Sequence, residues 1–435
     1  MRVATAQHIV LTSVIMLITP LLALIYSLRG RKGKTYKRWM LTLFAGIYAS
    51  TFNIESIGDG TRHWGRVYEY YVGLSFSNWL ADLWDIMTFT SNSNVQEDPY
   101  IHFLSYFVGE ILAAPGLFFV FVGLIYGYFF SGAILKIFDI FPSWRRHPGI
   151  FILAVYFIAI LNLQSMNTVR TWTGFWVLMY GVLQYYDTRR WKYLILVFIP
   201  PLIHVGYYAM ALPIWAVLFL PIKRYWLVVL FGLSFSTTLI NPKAAISNLE
   251  QTEVGQEKVQ GYYTEEKLGI EDRISAYSEK RWYLAYNKSG LLSWALVGIA
   301  LVFIINGDYL RRMQGLEATL FGMGLLSKVL SNSTWFLFAL SNRSGTIANL
   351  FILAAIILYW QRRHLSGMRP AFQFLAALRP LWVACLLLIL PVFVYYLSNT
   401  LEYLSAFILA LPMVTWLDDS LRITLRELLG QLLGI

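Results

Sequence analysis

FFVFVGLIYGYFFSGAIL, residues 118–135, carries no charged side chain and is long enough to cross the hydrocarbon core of a bilayer as one helix. Apolar runs of similar length recur along the whole chain of 435 residues. Hydrophobic residues make up 57% of the sequence and charged residues 14%, whereas soluble domains carry about a quarter charged residues. The sequence therefore predicts an all-α protein, a polytopic transmembrane helix bundle with about 12–13 spans.

The apolar runs define the candidate spans of a single integral membrane domain that covers residues 1–435. These spans are about 8–28, 39–55, 116–138, 149–166, 170–186, 193–206, 207–222, 226–240, 291–306, 317–341, 345–361 and 380–397. Segment 402–416 is either a thirteenth span or an interfacial helix. Segment 100–113 is too short to cross and predicts an interfacial or re-entrant helix. The amphipathic segment 417–435 is expected to lie at an interface.

Clusters of lysine and arginine lie between the apolar runs, and with these spans they all fall on one side of the membrane. The clustered residues are Arg29, Arg31, Lys32, Lys34, Lys37, Arg38, Lys136, Arg145, Arg146, Arg189, Arg190, Lys192, Lys223, Arg224, Arg311, Arg312, Arg362, Arg363, Arg369 and Arg379. Because basic residues near span ends favour the cytoplasmic side, the clusters are predicted to be cytoplasmic and the N-terminus external. The polar loop at about 241–290 is then external.

The composition and the missing motifs exclude several classes of function. The net charge of +11 reflects the clusters at one membrane face, so it does not indicate a nucleic-acid partner. Cys385 is the only cysteine, which excludes intramolecular disulfides and cysteine-based metal sites. Because the sequence has no Walker A, HExxH or GxSxG motif and no dinucleotide-binding GxGxxG pattern, nucleotide hydrolysis and dinucleotide binding are not expected.

DGTRHWGRVYEYY, residues 59–71, places many ionisable groups among aromatic rings directly after the second span. Asp59, Arg62 and Tyr68 of this stretch are candidate site residues, because arginine binds phosphate and sugars stack on tyrosine. The alternative is structural: Asp59 could cap a helix, and Arg62 could extend toward the interface, where aromatic residues are also common.

Other polar groups are predicted at the same external face. They are Asn167 and Arg170 in QSMNTVRTW, His204 in PPLIHVGYY, Arg343 in LSNRSG, and Glu97 with Asp98 before the helix at 100–113. Arginine at a helix end is often a headgroup anchor, and a lone histidine in an apolar run is usually a core residue. Ionisable groups inside a membrane are nevertheless costly, which favours a functional site. We therefore predict one polar site at the external surface, open to the membrane.

The order of these features resembles the EpsG/Wzy-type polysaccharide polymerases, which are bacterial inner-membrane proteins of the glycosyltransferase-C class. The resemblance is carried by GDGTRHWGRVYEYY (58–71), EDPYIHFLSYFVGEI (97–111), NTVRTWTGFWVLMYGV (167–182) and IPPLIHVGYYAMALPI (199–214). It covers roughly the first half of the chain. The matching positions are Asp59, Tyr68, Glu97, Asp98, Pro99, Arg170 and His204. The Thr-Trp-Thr after Arg170 departs from the small apolar residues that are more usual there.

The resemblance implies a glycosyltransferase that polymerises undecaprenyl-pyrophosphate-linked oligosaccharide repeat units at the outer, periplasmic face of the inner membrane. A growing chain would leave its lipid pyrophosphate and join a sugar hydroxyl of the incoming unit, with inversion of the anomeric carbon. No cofactor and no metal is expected; the alternative is a divalent cation on Asp59 and the Glu97–Asp98 pair. Membrane lipid and a chain-length-regulating co-polymerase are the other expected partners.

Expected roles follow from the charges that develop during such a transfer. Arg170 and Arg343 are predicted to stabilise the leaving pyrophosphate. Asp59 is the first candidate for the base that accepts the hydroxyl proton, and His204 is the second. The predicted substrate-binding residues are Arg62, Tyr68, Glu97, Asp98, Asn167, Arg273, Arg281 and Arg343. Arg273 and Arg281 belong to the external loop, where a solvated face is the alternative interpretation.

Four other functions compete with the polymerase. An O-antigen ligase or a polyprenyl-phosphate-sugar glycosyltransferase would use the same site chemistry with another acceptor or donor. A flippase for lipid-linked oligosaccharides would need polar residues along a path through the membrane, whereas the polar groups here concentrate at one face. A membrane-bound O-acyltransferase would need a histidine with cytoplasmic access, and His204 is placed externally.

Overall fold

The computed structural model of the chain describes residues 2–29, 33–52, 59–90, 95–96, 98–138, 148–236, 247, 282, 286, 290–365, 376–417 and 423–434. Within these residues the secondary structure is helical, and the only β-type pairing is an isolated antiparallel bridge between Ser405 and Thr424. The predicted all-α fold is confirmed for this part of the chain.

The helices are numbered here in chain order. They are α1 (Arg2–Ile18), α2 (Pro20–Leu28), α3 (Lys34–Ser50), α4 (Asp59–Arg66), α5 (Phe76–Thr88), α6 (Pro99–Tyr106), α7 (Phe118–Ile137), α8 (Pro148–Ile160), α9 (Thr171–Thr188), α10 (Lys192–Phe198), α11 (Pro200–Ile203), α12 (Tyr207–Met210), α13 (Leu212–Phe219), α14 (Arg224–Leu233), α15 (Leu291–Ile305), α16 (Gly315–Ser333), α17 (Phe338–Leu365), α18 (Arg379–Tyr403), α19 (Val414–Leu417) and α20 (Leu425–Leu433). Wider π-helical turns continue α4 over Val67–Tyr71 and α6 over Phe107–Ile111.

Four helical segments in the described part of the chain are long and apolar enough to cross a membrane. They are Pro115–Ile137, Pro148–Thr168, Ala339–Arg363 and Arg379–Tyr403. Shorter apolar helices cover Gln7–Ile18, Tyr207–Phe219, Arg224–Leu233 and Leu291–Ile305. These helices support a membrane protein, while the count of 12–13 spans stays a prediction.

The chain divides into two compact units that are not continuous in sequence. The first unit comprises Met1–Lys136, Leu161–Val205 and Ser398–Ile435, and the second comprises Ile137–Ile160 and Gly206–Leu397. The single membrane domain over residues 1–435 likewise stays a prediction.

In the first unit, close contacts between small residues join α3 to α7. A side chain at Gly123 would come within 2.4 Å of the Ala45 carbonyl oxygen, and one at Gly127 within 2.5 Å of Ala45 Cβ. Such small residues let two helix backbones approach each other. Arg38 of α3 also donates from Nη1 to Tyr180 Oη at 2.9 Å. These contacts join α3 to α7 and to α9.

The structure bears on two predicted elements of the first unit, the span over 8–28 and the segment 402–416, for which both a span and an interfacial helix were open. The single span predicted over 8–28 is two helices, because Pro20 has no N–H to continue α1 and instead begins α2. Segment 402–416 is no thirteenth span: beyond the end of α18 it contains only the turn Ala406–Ile408 and the four-residue α19. In the amphipathic C-terminal segment, α20 is a helix whose first turn is closed by a capping box.

In the second unit, α16 and α17 form a closely packed hairpin. A side chain at Gly324 would lie 2.5 Å from Ile352 Cγ1, so the two helices need glycine at this crossing. The predicted span 317–341 ends earlier than expected, because α16 stops at Ser333. At the opposite end of the hairpin, Arg362 donates to both carboxylate oxygens of Glu317 at 2.6 and 2.9 Å. The external loop predicted at 241–290 lies almost entirely outside the described residues.

Candidate active site

Three residues predicted at the external face meet in one cluster of the first unit. Arg170 Nη1 lies 2.5 Å from Asp98 Oδ2, and His204 Nδ1 lies 3.4 Å from the same oxygen. The backbone N–H of Val205 donates to Asp98 Oδ1 at 2.7 Å. Asp98 therefore binds the start of α9 and the end of α11 at once, although Arg170 is 72 and His204 is 106 positions away in the sequence.

The local sequence explains why the Asp98 carboxylate is available for these contacts. Asp98 precedes α6, where Pro99 occupies the first turn, and its side chain does not cap the helix. A proline at that position is favourable because the first N–H of a helix needs no partner within the helix. The carboxylate is consequently turned away from α6 and accepts its hydrogen bonds from the chain at 170 and 204–205.

Arg170 is placed by an uncommon backbone geometry. Val169, the residue before it, has φ of 53° and ψ of −53°, and its side chain is fully buried. A β-branched residue with positive φ is a genuine outlier. Such conformations cost roughly 1–3 kcal/mol and concentrate at functional sites. The strained turn ends the segment Leu163–Thr168 and directs the chain into α9 with Arg170 at its N-terminus.

His204 ends the short helix α11, whose first two residues are Pro200 and Pro201. Its backbone is extended, with φ of −155° and ψ of 125°, and its N–H bonds the Pro200 carbonyl at 2.9 Å. The two prolines cannot be central to a long helix, so the chain breaks here and the imidazole reaches Asp98.

The cluster is buried, which makes its electrostatics strong. The exposed fractions of the side chains are 1% for Asp98, 6% for Arg170 and 8% for His204. Burial alone would raise the pKa of Asp98. The hydrogen bond with His204, the charge of Arg170 and the Val205 N–H outweigh burial, so the pKa of Asp98 lies below its ordinary value. Asp98 is therefore ionised at neutral pH.

An ionised Asp98 fixes the proton position on His204. A carboxylate can only accept, so Nδ1 of His204 carries the hydrogen that points toward Asp98. In the neutral imidazole the other ring nitrogen, Nε2, is then the basic one. A carboxylate also stabilises the imidazolium that forms when Nε2 accepts a proton. The Asp98–His204 pair can therefore act as an oriented general base.

Asn167, three residues before Arg170 in the sequence, lies against the beginning of α4. A Cβ atom on Gly60 would come 2.2 Å from Asn167 Oδ1 and 2.9 Å from the Asn167 carbonyl oxygen. Gly60 is the second residue of α4, so Asp59, the first, begins its helix beside the segment that leads to Arg170. The Asp59 side chain lies outside the described structure, and its predicted role stays a prediction.

The other predicted site residues are distributed more widely. Arg62 is exposed on α4, and Tyr68 is exposed with its ring 4.9 Å from Trp64. Arg343 lies in the second turn of α17, in the second unit, and is half-buried. Three predicted residues, Glu97, Arg273 and Arg281, lie outside the described residues.

A buried hydrogen-bond network next to Asp98 was not predicted from the sequence. Gln96 Oε1 accepts from His63 Nδ1 at 2.6 Å, and the Gln96 N–H donates to Tyr71 Oη at 3.2 Å. Tyr71 Oη in turn lies 2.6 Å from His102 Nδ1, and His102 Nε2 lies 3.0 Å from the Trp79 carbonyl oxygen. The histidines of DGTRHW and PYIHF are the only sequence signal for it. The network fixes the chain on both sides of Asp98.

In the described parts of the chain, no group of three or more His, Cys, Asp and Glu side chains is arranged to hold a metal ion.

No family model matches this chain, and neither a curated protein nor a solved structure does. The residues of the cluster and the chemistry that they allow therefore indicate the function.

Proposed function

We propose that this chain is a membrane glycosyltransferase that polymerises oligosaccharide repeat units carried on undecaprenyl pyrophosphate. The observation that carries the proposal is the buried cluster of Asp98, Arg170 and His204. It combines a cation suited to a pyrophosphate with an oriented base suited to a sugar hydroxyl. The resemblance to the EpsG/Wzy-type polymerases supports the same reaction, since it matches at these three positions.

In the proposed reaction, the hydroxyl oxygen of the incoming unit attacks the anomeric carbon of the growing chain. The bond between that carbon and the pyrophosphate oxygen breaks, and a glycosidic bond forms on the opposite face, so the anomeric configuration inverts. The hydroxyl proton passes to Nε2 of His204, while Asp98 stabilises the resulting imidazolium. The lipid pyrophosphate departs with the negative charge.

Arg170 is assigned to the pyrophosphate. A guanidinium has five N–H donors in a planar fork and can bond a carboxylate and a phosphate together. Its ion pair with Asp98 holds the guanidinium in one position before substrate arrives. Donors that are already oriented where charge develops stabilise a transition state without reorganisation. His204 takes the role of base in this proposal because its contact with a carboxylate is defined, whereas Asp59 is the alternative.

The proposed location is the bacterial inner membrane, with the site facing the periplasm. The four long apolar helices support a membrane location, and the clustering of arginine and lysine on the opposite predicted side supports this orientation. A substrate that is itself a membrane lipid would reach the site from the bilayer. The proposed partners are the lipid-linked oligosaccharide and a co-polymerase that sets chain length, and the reaction needs neither nucleotide sugar nor cofactor.

The decisive experiment is an extension assay with purified protein. The protein in detergent is incubated with a native undecaprenyl-pyrophosphate repeat unit, without nucleotide sugar or added metal, and the glycans are separated by size. We expect a ladder of longer glycans from the wild type and none from His204→Gln or Arg170→Gln. Arg426→Gln is the matched control, because Arg426 forms an exposed ion pair with Glu402 in the same unit.

The alternatives give different outcomes in the same assay. A wild-type protein that leaves the repeat unit unextended, yet moves it across a vesicle bilayer, would be a flippase and would refute the proposal. Transfer only to a different acceptor, such as a lipid A core, would indicate a ligase. Equal ladders from the wild type and His204→Gln would remove His204 from the chemistry and return the role of base to Asp59.

A further inference from the structure

Lys328 is a cation without a carboxylate partner in the described part of the chain. It lies on α16, between the buried residues Ser327 and Val329, and is itself half-buried. Its Nζ contacts Ser293 Oγ at 3.4 Å, and none of the described ion pairs includes it. An ionisable group in an apolar helix bundle is expensive, which makes a functional role the default hypothesis. A bound anion would offset that cost.

Lys328 and its neighbour Asn332 contact residues on both sides of the predicted polar loop, Ser293 after it and Ser234 before it. Asn332, one helical turn after Lys328, donates from Nδ2 to Ser234 Oγ at 3.0 Å. Ser234 directly follows α14, and Ser293 lies in the first turn of α15. α16 therefore contacts the chain both where it leaves for the polar loop and where it returns. Lys328 and Asn332 therefore lie near the described ends of the chain on either side of that loop.

Aromatic rings lie at the same two chain ends. The rings of Phe235 and Trp294 are 5.7 Å apart and tilted by 32°. Both are exposed, Phe235 by 41% and Trp294 by 63%. An exposed indole presents an apolar face together with an N–H donor, which suits a sugar ring better than a purely aliphatic surface does. Ser293, which contacts Lys328, directly precedes Trp294 in α15, and so links a cation suited to phosphate with a platform suited to sugar.

We propose that Lys328, Ser293 and Trp294 form a second binding site, which holds the lipid-linked pyrophosphate of the acceptor unit. This inference rests on the proposed polymerase function. The reaction joins two molecules that each carry a pyrophosphate, and the acceptor's pyrophosphate is separated from its reacting hydroxyl by the whole repeat unit. One cationic site cannot serve both groups, so the reaction needs a second site in addition to the one that contains Arg170.

The kind of cation at each site agrees with this division. The donor's pyrophosphate gains charge as it leaves, and the fixed fork of Arg170 suits that change. The acceptor's pyrophosphate does not react in the same turnover and only has to be held. A lysine ammonium is a compact point charge with three rotatable donors, and it binds phosphate without a fixed geometry.

Binding of undecaprenyl pyrophosphate itself, titrated into detergent-solubilised protein and followed by native mass spectrometry, tests the second site. We expect two equivalents on the wild type. Lys328→Met should weaken one of them at least tenfold and leave the other unchanged, while Lys328→Arg should retain both. Lys136→Met is the matched control, because Lys136 already has a carboxylate partner in Asp187. This variant should bind two equivalents of undecaprenyl pyrophosphate, as the wild type does. Two equivalents of unchanged affinity on Lys328→Met would overturn the inference.

Trp294→Leu gives an independent readout at an exposed position, where folding is little affected. The substitution should weaken binding of the glycosylated lipid severalfold and leave binding of bare undecaprenyl pyrophosphate unchanged. Equal affinities of the wild type and Trp294→Leu for the glycosylated lipid would refute the sugar platform.

Failure of the second site can be distinguished from failure of the proposed function. Polymer formation by Lys328→Met at the wild-type KM would refute the site alone. Two bound equivalents, one of which depends on Lys328, without any polymer would refute polymerisation and leave the site standing.

Discussion

Arg170 Nη1 donates to Asp98 Oδ2 over 2.5 Å, and the two side chains are only 6% and 1% exposed. A guanidinium does not lose its proton in a protein, so the carboxylate beside it must stay ionised to balance it. The pair joins the start of α9 to the residue before α6. Loss of either charge in this pair should therefore lower the free energy of unfolding as well as disturb the proposed site.

Asp98→Asn should destabilise the first unit strongly. The substitution leaves Arg170 buried without its counter-charge, and breaking one side of a buried pair typically costs about 3–5 kcal/mol. The double variant Asp98→Asn/Arg170→Gln should be less destabilised than the sum of the two single variants, because the second change removes the uncompensated charge. Chemical or thermal unfolding of the purified variants in detergent measures these free energies.

The pair between Lys136 and Asp187 is the control for this cycle. Its side chains are 23% and 58% exposed, and surface pairs contribute between about 0 and 1 kcal/mol. Asp187→Asn should accordingly change the free energy of unfolding by less than Asp98→Asn does. Additive effects of the Asp98 and Arg170 substitutions would contradict a coupled pair.

The lowered pKa of Asp98 predicts a loss of stability in acid. The unfolded chain binds the proton at a pKa of about 3.9, whereas the folded chain binds it only at a lower pH. Between these values the unfolded state holds more protons, so stability rises with pH. The contribution of Asp98 is complete above about pH 4 and is lost as the pH falls through the folded pKa. The free energy of unfolding is measured from pH 6 to pH 2 for the wild type and for Asp98→Asn. The contribution of Asp98 is the difference between their slopes against pH, and equal slopes would refute it.

The sequence predicted the apolar helices well because an apolar run is a local property. α7 and α15 lie within two residues of their predicted spans at both ends, whereas α8 ends six residues earlier and α18 six residues later than predicted. α5 was missed, since its apolar residues form two stripes instead of one run: Trp79 and Ile86 are buried while Phe76 and Trp84 are exposed. The break between α1 and α2 was also missed, because a single proline can either kink or end a helix.

The three residues of the candidate cluster were singled out from the sequence, but their arrangement was not predicted. Arg170, His204 and Asp98 stood out because charged groups are rare in an apolar chain. That Asp98 binds both of the others could not be predicted, because contacts across 72 and 106 positions leave no pattern in one sequence. The positive φ of Val169 could not be predicted either, because no residue type in the sequence NTVRT favours that conformation.

Tyr71→Phe should destabilise the network beside Asp98. The Trp79 carbonyl can only accept, so His102 carries its hydrogen on Nε2 and its Nδ1 accepts from Tyr71 Oη. Removing this hydroxyl leaves both His102 Nδ1 and the Gln96 N–H without their partner, and a buried unsatisfied group costs about 1–3 kcal/mol. The free energy of unfolding measures this loss.

Tyr70→Phe is the matched control for that substitution. Tyr70 is half-buried and donates to Asp82 at 2.7 Å, so water can replace the lost bond. Its effect should be smaller than that of Tyr71→Phe. The reverse order of the two variants would show that the Tyr71–His102 contact is not formed in solution.

Burial lowers the pKa of His102, which predicts a second pH-dependent contribution to stability. The unfolded histidine takes up a proton at a pKa of about 6.5, whereas the folded one resists it. Stability should therefore be complete above about pH 6.5 and decline as the pH falls below that value, well before Asp98 titrates. Comparison of the wild type with His102→Gln between pH 8 and pH 5 isolates this contribution, and equal pH profiles of the two proteins would contradict it.

Gly60→Ala should impair both stability and glycan extension, because the added methyl group would lie 2.2 Å from Asn167 Oδ1 and 3.1 Å from Phe119 Cζ. Either α4 or the segment before Arg170 must move to accommodate it. Gly65→Ala is the control on the same helix: the nearest atom to its new methyl group, Glu69 Oε1, is 3.9 Å away, and alanine favours a helix by up to about 1 kcal/mol over glycine. We expect Gly65→Ala to match or exceed the wild type in thermal stability and to form the same ladder of glycans, while Gly60→Ala loses the ladder. If both variants extend glycans equally, the contact between α4 and Asn167 is not needed for the reaction, and the beginning of α4, with Asp59, is not part of the site.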